Sequence, residues 1–266
     1  MKQARAIIIV TLAVAATVGI TAALTVHESP DWTHSAAEFQ ALMSVTSAMA
    51  IVFVGATVLF ITSLGSYKAE LRVCYITIAI GLVLTAISTL QFPILDATGL
   101  SNSTWARSGV TILPYIVSAG CAYFGVRRLA WLIGSKTIFS SRLLSLATII
   151  VGAIASVFLP HAPTNLPETT FNIAVGIVVA MGIANGIVAY MVLRVKQHIG
   201  GHYVNAMAWL YIAYAGAVGV LVAALIHMLS GGTDQDLANT IVEVLSGFDG
   251  LLFLQAAYAF SRTEEI

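Results

Sequence analysis

The clearest candidate for chemistry is the carboxyl group of Asp249, in the middle of a long apolar segment near the C-terminus. No Lys or Arg lies at that depth in any other apolar segment. A charge at the centre of a bilayer costs at least about 2.5–3.5 kcal/mol on insertion scales, so ionisable residues there often mark ion or proton pathways. Asp249 therefore predicts a proton-linked or ion-binding site, or a neutral carboxyl group hydrogen-bonded to another helix.

Three further polar residues lie at depths from which they can join Asp249. Asn185 is in the middle of one apolar segment, Tyr214 is in the next segment, and Gln255 follows Asp249 in its own segment. If these segments touch, the four side chains form a ligand or proton site. The alternative is that they form hydrogen bonds between helices and only stabilise packing.

A second polar group lies where apolar segments meet the predicted outer loops. His34 and Glu38 are four residues apart, so one helical face presents both, and His227 and Glu243 lie near the outer ends of two later segments. Histidine and carboxylate ligands suit zinc, which needs about four of them. The chain has no HExxH motif, so we expect these residues to pair with one another or with water, and we predict neither a metal nor a cofactor.

The composition indicates the class of protein that carries these residues. Of 266 residues, 59% are hydrophobic and 9% are charged. Soluble domains average roughly 45–50% apolar residues and about 25% charged residues. This excludes a soluble enzyme and a disordered chain, and predicts an integral protein of the lipid bilayer. Twelve basic residues balance twelve acidic ones, so no basic face is available for nucleic acid.

Eight apolar stretches are long enough to cross a bilayer, which takes about 20 residues. They lack the alternation of apolar and polar residues that is typical of transmembrane strands. The prediction is an all-α polytopic membrane helix bundle, a single transmembrane domain over residues 1–266. The predicted segments are Ala4–Val26, Glu38–Leu64, Leu71–Leu95, Ser108–Ile133, Arg142–Leu159, Thr170–Val195, Tyr203–Leu229 and Leu237–Phe260.

The charges predict the orientation. Eleven of the twelve basic residues fall on one side of the predicted bundle and only Arg107 falls on the other, where acidic loop residues collect. The positive-inside rule then places both termini in the cytoplasm and the protein in the cell membrane. The segment at 4–26 resembles a signal peptide, but its apolar run is long for one. We therefore expect a retained anchor helix before a seven-helix core at 38–260.

The function is less constrained than the architecture. Walker, GxSxG, GxGxxG and CxxC motifs are missing, and a retinal pigment is excluded because the last segment has no lysine. An enzyme is therefore not expected. The favoured hypothesis is a ligand-sensing or regulatory bundle that acts with a partner chain or a second copy. The alternatives are a small proton- or ion-coupled transporter that uses Asp249, and a membrane enzyme or quinone-binding anchor subunit.

Overall fold

The computed structural model describes residues 2–25, 36–66, 69–90, 93–95, 98–99, 110, 113–132, 141–158, 168–201, 203–230 and 235–262. Its long elements are all helices, and the described residues contain no strand. We number them α1 (Lys2–Thr25), α2 (Ala36–Thr62), α3 (Ala69–Thr89), α4 (Leu113–Leu132), α5 (Ser141–Phe158), α6 (Glu168–His198), α7 (Tyr203–Ser230) and α8 (Gln235–Ser261). A short 3-10 turn, Ser63–Ser66, follows α2.

Six of these helices, α1, α2, α3, α6, α7 and α8, are long and apolar enough to cross a membrane. Many of their large apolar side chains are exposed, among them Ile9, Ile61, Ile80 and Ile226. Such side chains need lipid around them because water would leave them unfavourably hydrated. The prediction of a multi-pass helical membrane protein is thus confirmed at this level.

One detail of the helices differs from the prediction. Helix α3 ends at Thr89, six residues before the predicted end at Leu95. The backbone is helical again at residues 93–95, where the amide of Ile94 donates to the carbonyl of Leu90 at 2.9 Å. Pro93 explains the interruption because it has no N–H to donate to the carbonyl of Thr89.

The helices form a closed ring with two outer additions. Contacts run in order from α2 to α3, α4, α6, α7, α8 and back to α2. Helix α1 packs on the outside of α2, and α5 packs on the outside of α6. Helices α1 and α5 therefore hold equivalent peripheral positions, and the other six helices surround the centre.

This arrangement is an internal repeat of four helices. A Cβ atom built on Gly19 of α1 lies 3.1 Å from the carbonyl oxygen of Ser44, and one built on Gly152 of α5 lies 2.8 Å from the carbonyl oxygen of Gly176. Each also meets an alanine one turn further on, at 3.3 and 3.0 Å. The paired positions are about 132 residues apart, close to half of the 266 in the chain.

The two halves, α1–α4 and α5–α8, run in the same direction. Phe60 near the end of α2 packs against Phe260 near the end of α8, with ring centroids 5.4 Å apart. Near the middle of the same two helices, Met49 of α2 lies beside Gly247 of α8. Helices α2 and α8 are therefore parallel. Exchanging the halves converts the α8–α2 contact into the α4–α6 contact, as in membrane proteins with parallel repeats.

Side chains fill the centre of the ring at the end where α2, α4, α6 and α8 reach their C-terminal residues. The aromatic rings of Phe60, Tyr75 and Phe260 stack there with centroid separations of 5.1 to 6.3 Å. Val192 and Leu210 of the second half are completely buried beside them. We call these five residues the inner core.

The close approach of α5 to α6 gives a stability prediction. Gly152→Leu is expected to lower the free energy of unfolding by about 1–3 kcal/mol because the new side chain must push the backbone of Gly176 away. Thermal unfolding in detergent measures this. Gly219→Leu is the control, since a Cβ there meets open space; equal losses in both variants would contradict this account of the packing.

Candidate functional site

A cavity of about 250 Å³ lies inside the ring, between the two halves. All six ring helices line it, and none of its described lining residues belongs to α1 or α5. Its lining lies toward the beginnings of α2, α4, α6 and α8, from Thr46 on α2 to Phe253 on α8. This central cavity and the inner core therefore occupy opposite ends of the bundle.

Three aromatic rings form the end of the cavity that faces the inner core. Phe253 packs edge-on against Tyr214, with centroids 5.0 Å apart, and against Phe53, with centroids 6.0 Å apart. All three residues line the cavity and are buried. They separate the space from the inner core, so the cavity ends within the bundle.

Asp249 is part of the cavity wall on α8 and is only 7% exposed. Its Oδ1 atom is buried and accepts no hydrogen bond from the described residues. A glycine on α7 makes room for this oxygen, because a Cβ built on Gly216 lies 2.7 Å from it. An unpaired buried carboxyl oxygen is costly to leave unsatisfied, which marks this position for a ligand or a proton.

The corresponding position in the first half carries a hydroxyl group. Gly81 on α3 faces Ser118 on α4 as Gly216 faces Asp249, and Ser118 also lines the cavity. The hydroxyl oxygens of Ser118 and Thr85 are 2.7 Å apart, and Thr85 already donates to the carbonyl of Gly81. Ser118 therefore donates to Thr85. The repeat thus places a carboxyl group on one wall and a pair of hydroxyls on the other.

The structure brings together three of the four residues predicted to surround Asp249. Asp249, Asn185 and Tyr214 all line the cavity, whereas Gln255 does not. Asn185 and Asp249 do not form the direct contact that the sequence suggested, because α7 lies between α6 and α8. The Asn185 side chain instead donates to the carbonyl of Met181 in its own helix, at 3.0 Å.

The second polar group of the sequence, at the predicted outer ends of the helices, falls outside the side chains that the structure describes. His34 lies outside the described residues, as do the side chains of Glu38, His227 and Glu243. Within the part of the chain that the structure describes, no cluster of three or more His, Cys, Asp or Glu side chains could hold a metal ion. These four residues remain a prediction from the sequence.

The sequence alone did not single out several residues in and around the cavity. Gly216, Ser118, Thr85, Phe53 and Phe253 all belong to apolar segments in which their types are common. A comparison of the chain with itself at an offset of about half its length would have paired Gly81 with Gly216. That signal is weak because the two halves keep small residues at helix contacts but differ in the cavity.

The chemistry of the cavity follows from this lining. One wall offers a carboxyl group whose buried Oδ1 no described residue satisfies, the other offers hydroxyls, and most of the remaining described lining is aromatic or aliphatic. A mostly apolar pocket with a few polar groups is the usual form of a small-molecule site. No protein-family model matches the sequence, and no curated protein or solved structure is significantly similar to it.

Proposed function

We propose that this protein is a ligand-sensing or regulatory membrane protein that binds a small molecule in the central cavity. In this proposal all eight helices cross the cell membrane, both termini are cytoplasmic, and the cavity faces outward. The observation that carries the proposal is the asymmetry of the bundle. A cavity occupies one end of the ring and the inner core fills the other.

A receptor needs ligand access from one side only, and a cavity at one end of the ring with a packed core at the other supports such access. The cavity lies between two four-helix halves, so a ligand that contacts both halves favours one relative arrangement of them. Helix shifts at such an interface are a common way to transmit a signal. We propose that a partner chain or a second copy of this protein receives the shift on the cytoplasmic side.

One-sided access can be tested with single cysteines in a Cys74→Ala/Cys121→Ala background. Thr85→Cys and Ala217→Cys place thiols in the cavity, and Leu210→Cys places one in the inner core. A membrane-impermeant methanethiosulfonate reagent is applied to right-side-out and inside-out vesicles. We expect both cavity thiols to react from the outer face only, and the Leu210→Cys thiol to react from neither face.

The matched inner-core cysteine controls for general loosening of the bundle. Reaction of the cavity thiols from the cytoplasmic face alone would reverse the proposed orientation. Absence of reaction from either face, in protein that unfolds like the parent, would contradict an accessible ligand site.

One observation favours a second candidate, a small proton- or ion-coupled transporter. The Asp249 carboxyl group lies at the interface of two parallel repeats, and transporter sites commonly lie at such interfaces near the middle of the membrane. Transport requires rocking of the halves, which would open the inner core in turn. This candidate predicts that the cavity thiols react from both faces, so the same labelling experiment decides between the two functions.

A further inference from the structure

We infer that the central cavity takes a small organic ammonium ion, with Asp249 as its counter-ion. The inference rests on the proposed role of the cavity as a ligand site and names the class of ligand. The buried Oδ1 of Asp249 has no partner among the described residues, and those described residues that line the cavity include no Lys, Arg or His. A positively charged donor supplied by the ligand satisfies both conditions.

The aromatic rings beside Asp249 fit a cation as well. Phe253 lies one turn after Asp249 on the same face of α8, and Tyr214 and Phe53 pack against Phe253 on either side. Aromatic faces within about 6 Å attract an ammonium group through the ring quadrupole. A carboxylate together with three rings therefore forms a better site for an organic cation than for an anion or a neutral molecule.

A metal cation fits the same place poorly. Hard cations such as Ca²⁺ or Mg²⁺ take about six or more oxygen ligands, whereas Asp249 is the only carboxylate among the described residues that line the cavity. The hydroxyl pair of Thr85 and Ser118 belongs to the other half of the repeat. Most of the described lining is hydrocarbon, which suits a cation that carries its own apolar body.

The size and lining of the cavity limit that body. Its volume of about 250 Å³ is below the roughly 300–1,000 Å³ of drug-sized pockets. Met49, Leu82, Met181 and Leu221 supply apolar surface around it. An ammonium group attached to one ring or a short chain fills this space, with the hydroxyl pair free to meet a second polar group.

The test compares three probes of similar shape on the purified full-length protein: benzylammonium, benzyl alcohol and phenylacetate. Equilibrium binding is measured by calorimetry in detergent. We expect benzylammonium to bind about tenfold or more tightly than benzyl alcohol, because a charged hydrogen bond replaces a neutral one. Phenylacetate is expected not to bind. Asp249→Asn should remove the preference for benzylammonium and leave the affinity for benzyl alcohol unchanged.

Gln255→Ala is the matched control on the same helix. Gln255 is a polar residue of α8 that does not line the cavity. This variant should therefore keep the preference for benzylammonium. The comparison of the three probes on the unaltered protein stands by itself if Asp249→Asn does not fold.

The possible outcomes separate this inference from the proposed function. If none of the three probes binds the unaltered protein, the ammonium inference fails, whereas the proposed ligand site is judged separately by the cysteine labelling. If benzyl alcohol binds as tightly as benzylammonium, or if Asp249→Asn keeps the preference, only the ammonium inference is overturned. Displacement of benzylammonium by an equal concentration of sodium ions would also overturn it, in favour of a metal cation.

Discussion

Ala217→Phe abolishes binding of benzylammonium while the bundle stays folded. Ala217 is buried on α7 and lines the central cavity, so a benzyl group at this position occupies the space intended for the ligand. The cavity accommodates the larger side chain, and the added apolar contacts offset part of any strain. Calorimetric titration gives the affinity, and thermal unfolding in detergent gives the stability.

The control for this prediction is two residues away on the same helix. Ala215 is exposed on the outside of α7, so Ala215→Phe adds the same side chain to the lipid-facing surface. We expect it to bind benzylammonium like the parent. Unchanged binding by Ala217→Phe would mean that the ligand lies elsewhere, and lost binding by both variants would point to a general effect of phenylalanine in α7.

Gly216→Ala weakens benzylammonium binding by about tenfold through its effect on Asp249. The added Cβ would lie 2.7 Å from Oδ1 of Asp249 and 3.1 Å from Cδ1 of Leu252. The first distance is too short and the second is tight, so the carboxyl group must move away from its place beside α7 and Leu252 must shift slightly. Titration with benzylammonium and with benzyl alcohol measures the result, and the second affinity should change little.

Gly219→Ala separates this displacement from the effect of alanine on α7 itself. A Cβ at Gly219, nearly one turn further along the helix, meets nothing within 4 Å. This variant should gain slightly in stability, because alanine favours a helix over glycine by about 1 kcal/mol. Its affinity for both probes should equal that of the parent; a loss like that of Gly216→Ala would show that Asp249 is not the group displaced.

The depth of residues in the membrane could be predicted from the sequence, but their direction around each helix could not. Asp249 and Gln255 lie in one segment, yet six residues at about 100° each place them on different faces. Only Asp249 lines the cavity. Hydrophobicity is high all around these helices, so the sequence carries no amphipathic signal that distinguishes a lipid-facing side from an inner one.

The sequence also did not show which helices contact one another. Asn185 and Asp249 could be placed together only by assuming that α6 and α8 touch, and the structure places α7 between them. The small residues were more informative where they occur in matched positions. Gly152 and Ser156, four residues apart in α5, do form a close contact, with Gly176 of α6. The pair Ala215 and Gly219 has the same spacing but both residues are exposed.

The repeat pairs the carboxyl group of Asp249 with a hydroxyl group, and Asp249 is the one acidic residue among the described residues that line the cavity. Ser118 and Asp249 occupy corresponding positions beside Gly81 and Gly216, so the two halves offer the same geometry with different chemistry. A symmetric pair of carboxylates would repel each other across the cavity at the cost of stability. With one acidic wall and one hydroxyl wall, the cavity can bind an asymmetric ligand in a single orientation.

The most direct measurement is the infrared difference spectrum of the purified protein with and without benzylammonium, compared with that of Asp249→Asn. A carboxyl group among apolar side chains favours its neutral form until a cation approaches. We predict that the ligand removes a protonated carboxyl band and produces a carboxylate band in the parent, and that both changes are missing in Asp249→Asn. Bound ligand with no change in the carboxyl bands, or with the same change in both proteins, would contradict the assignment of Asp249 to the ligand.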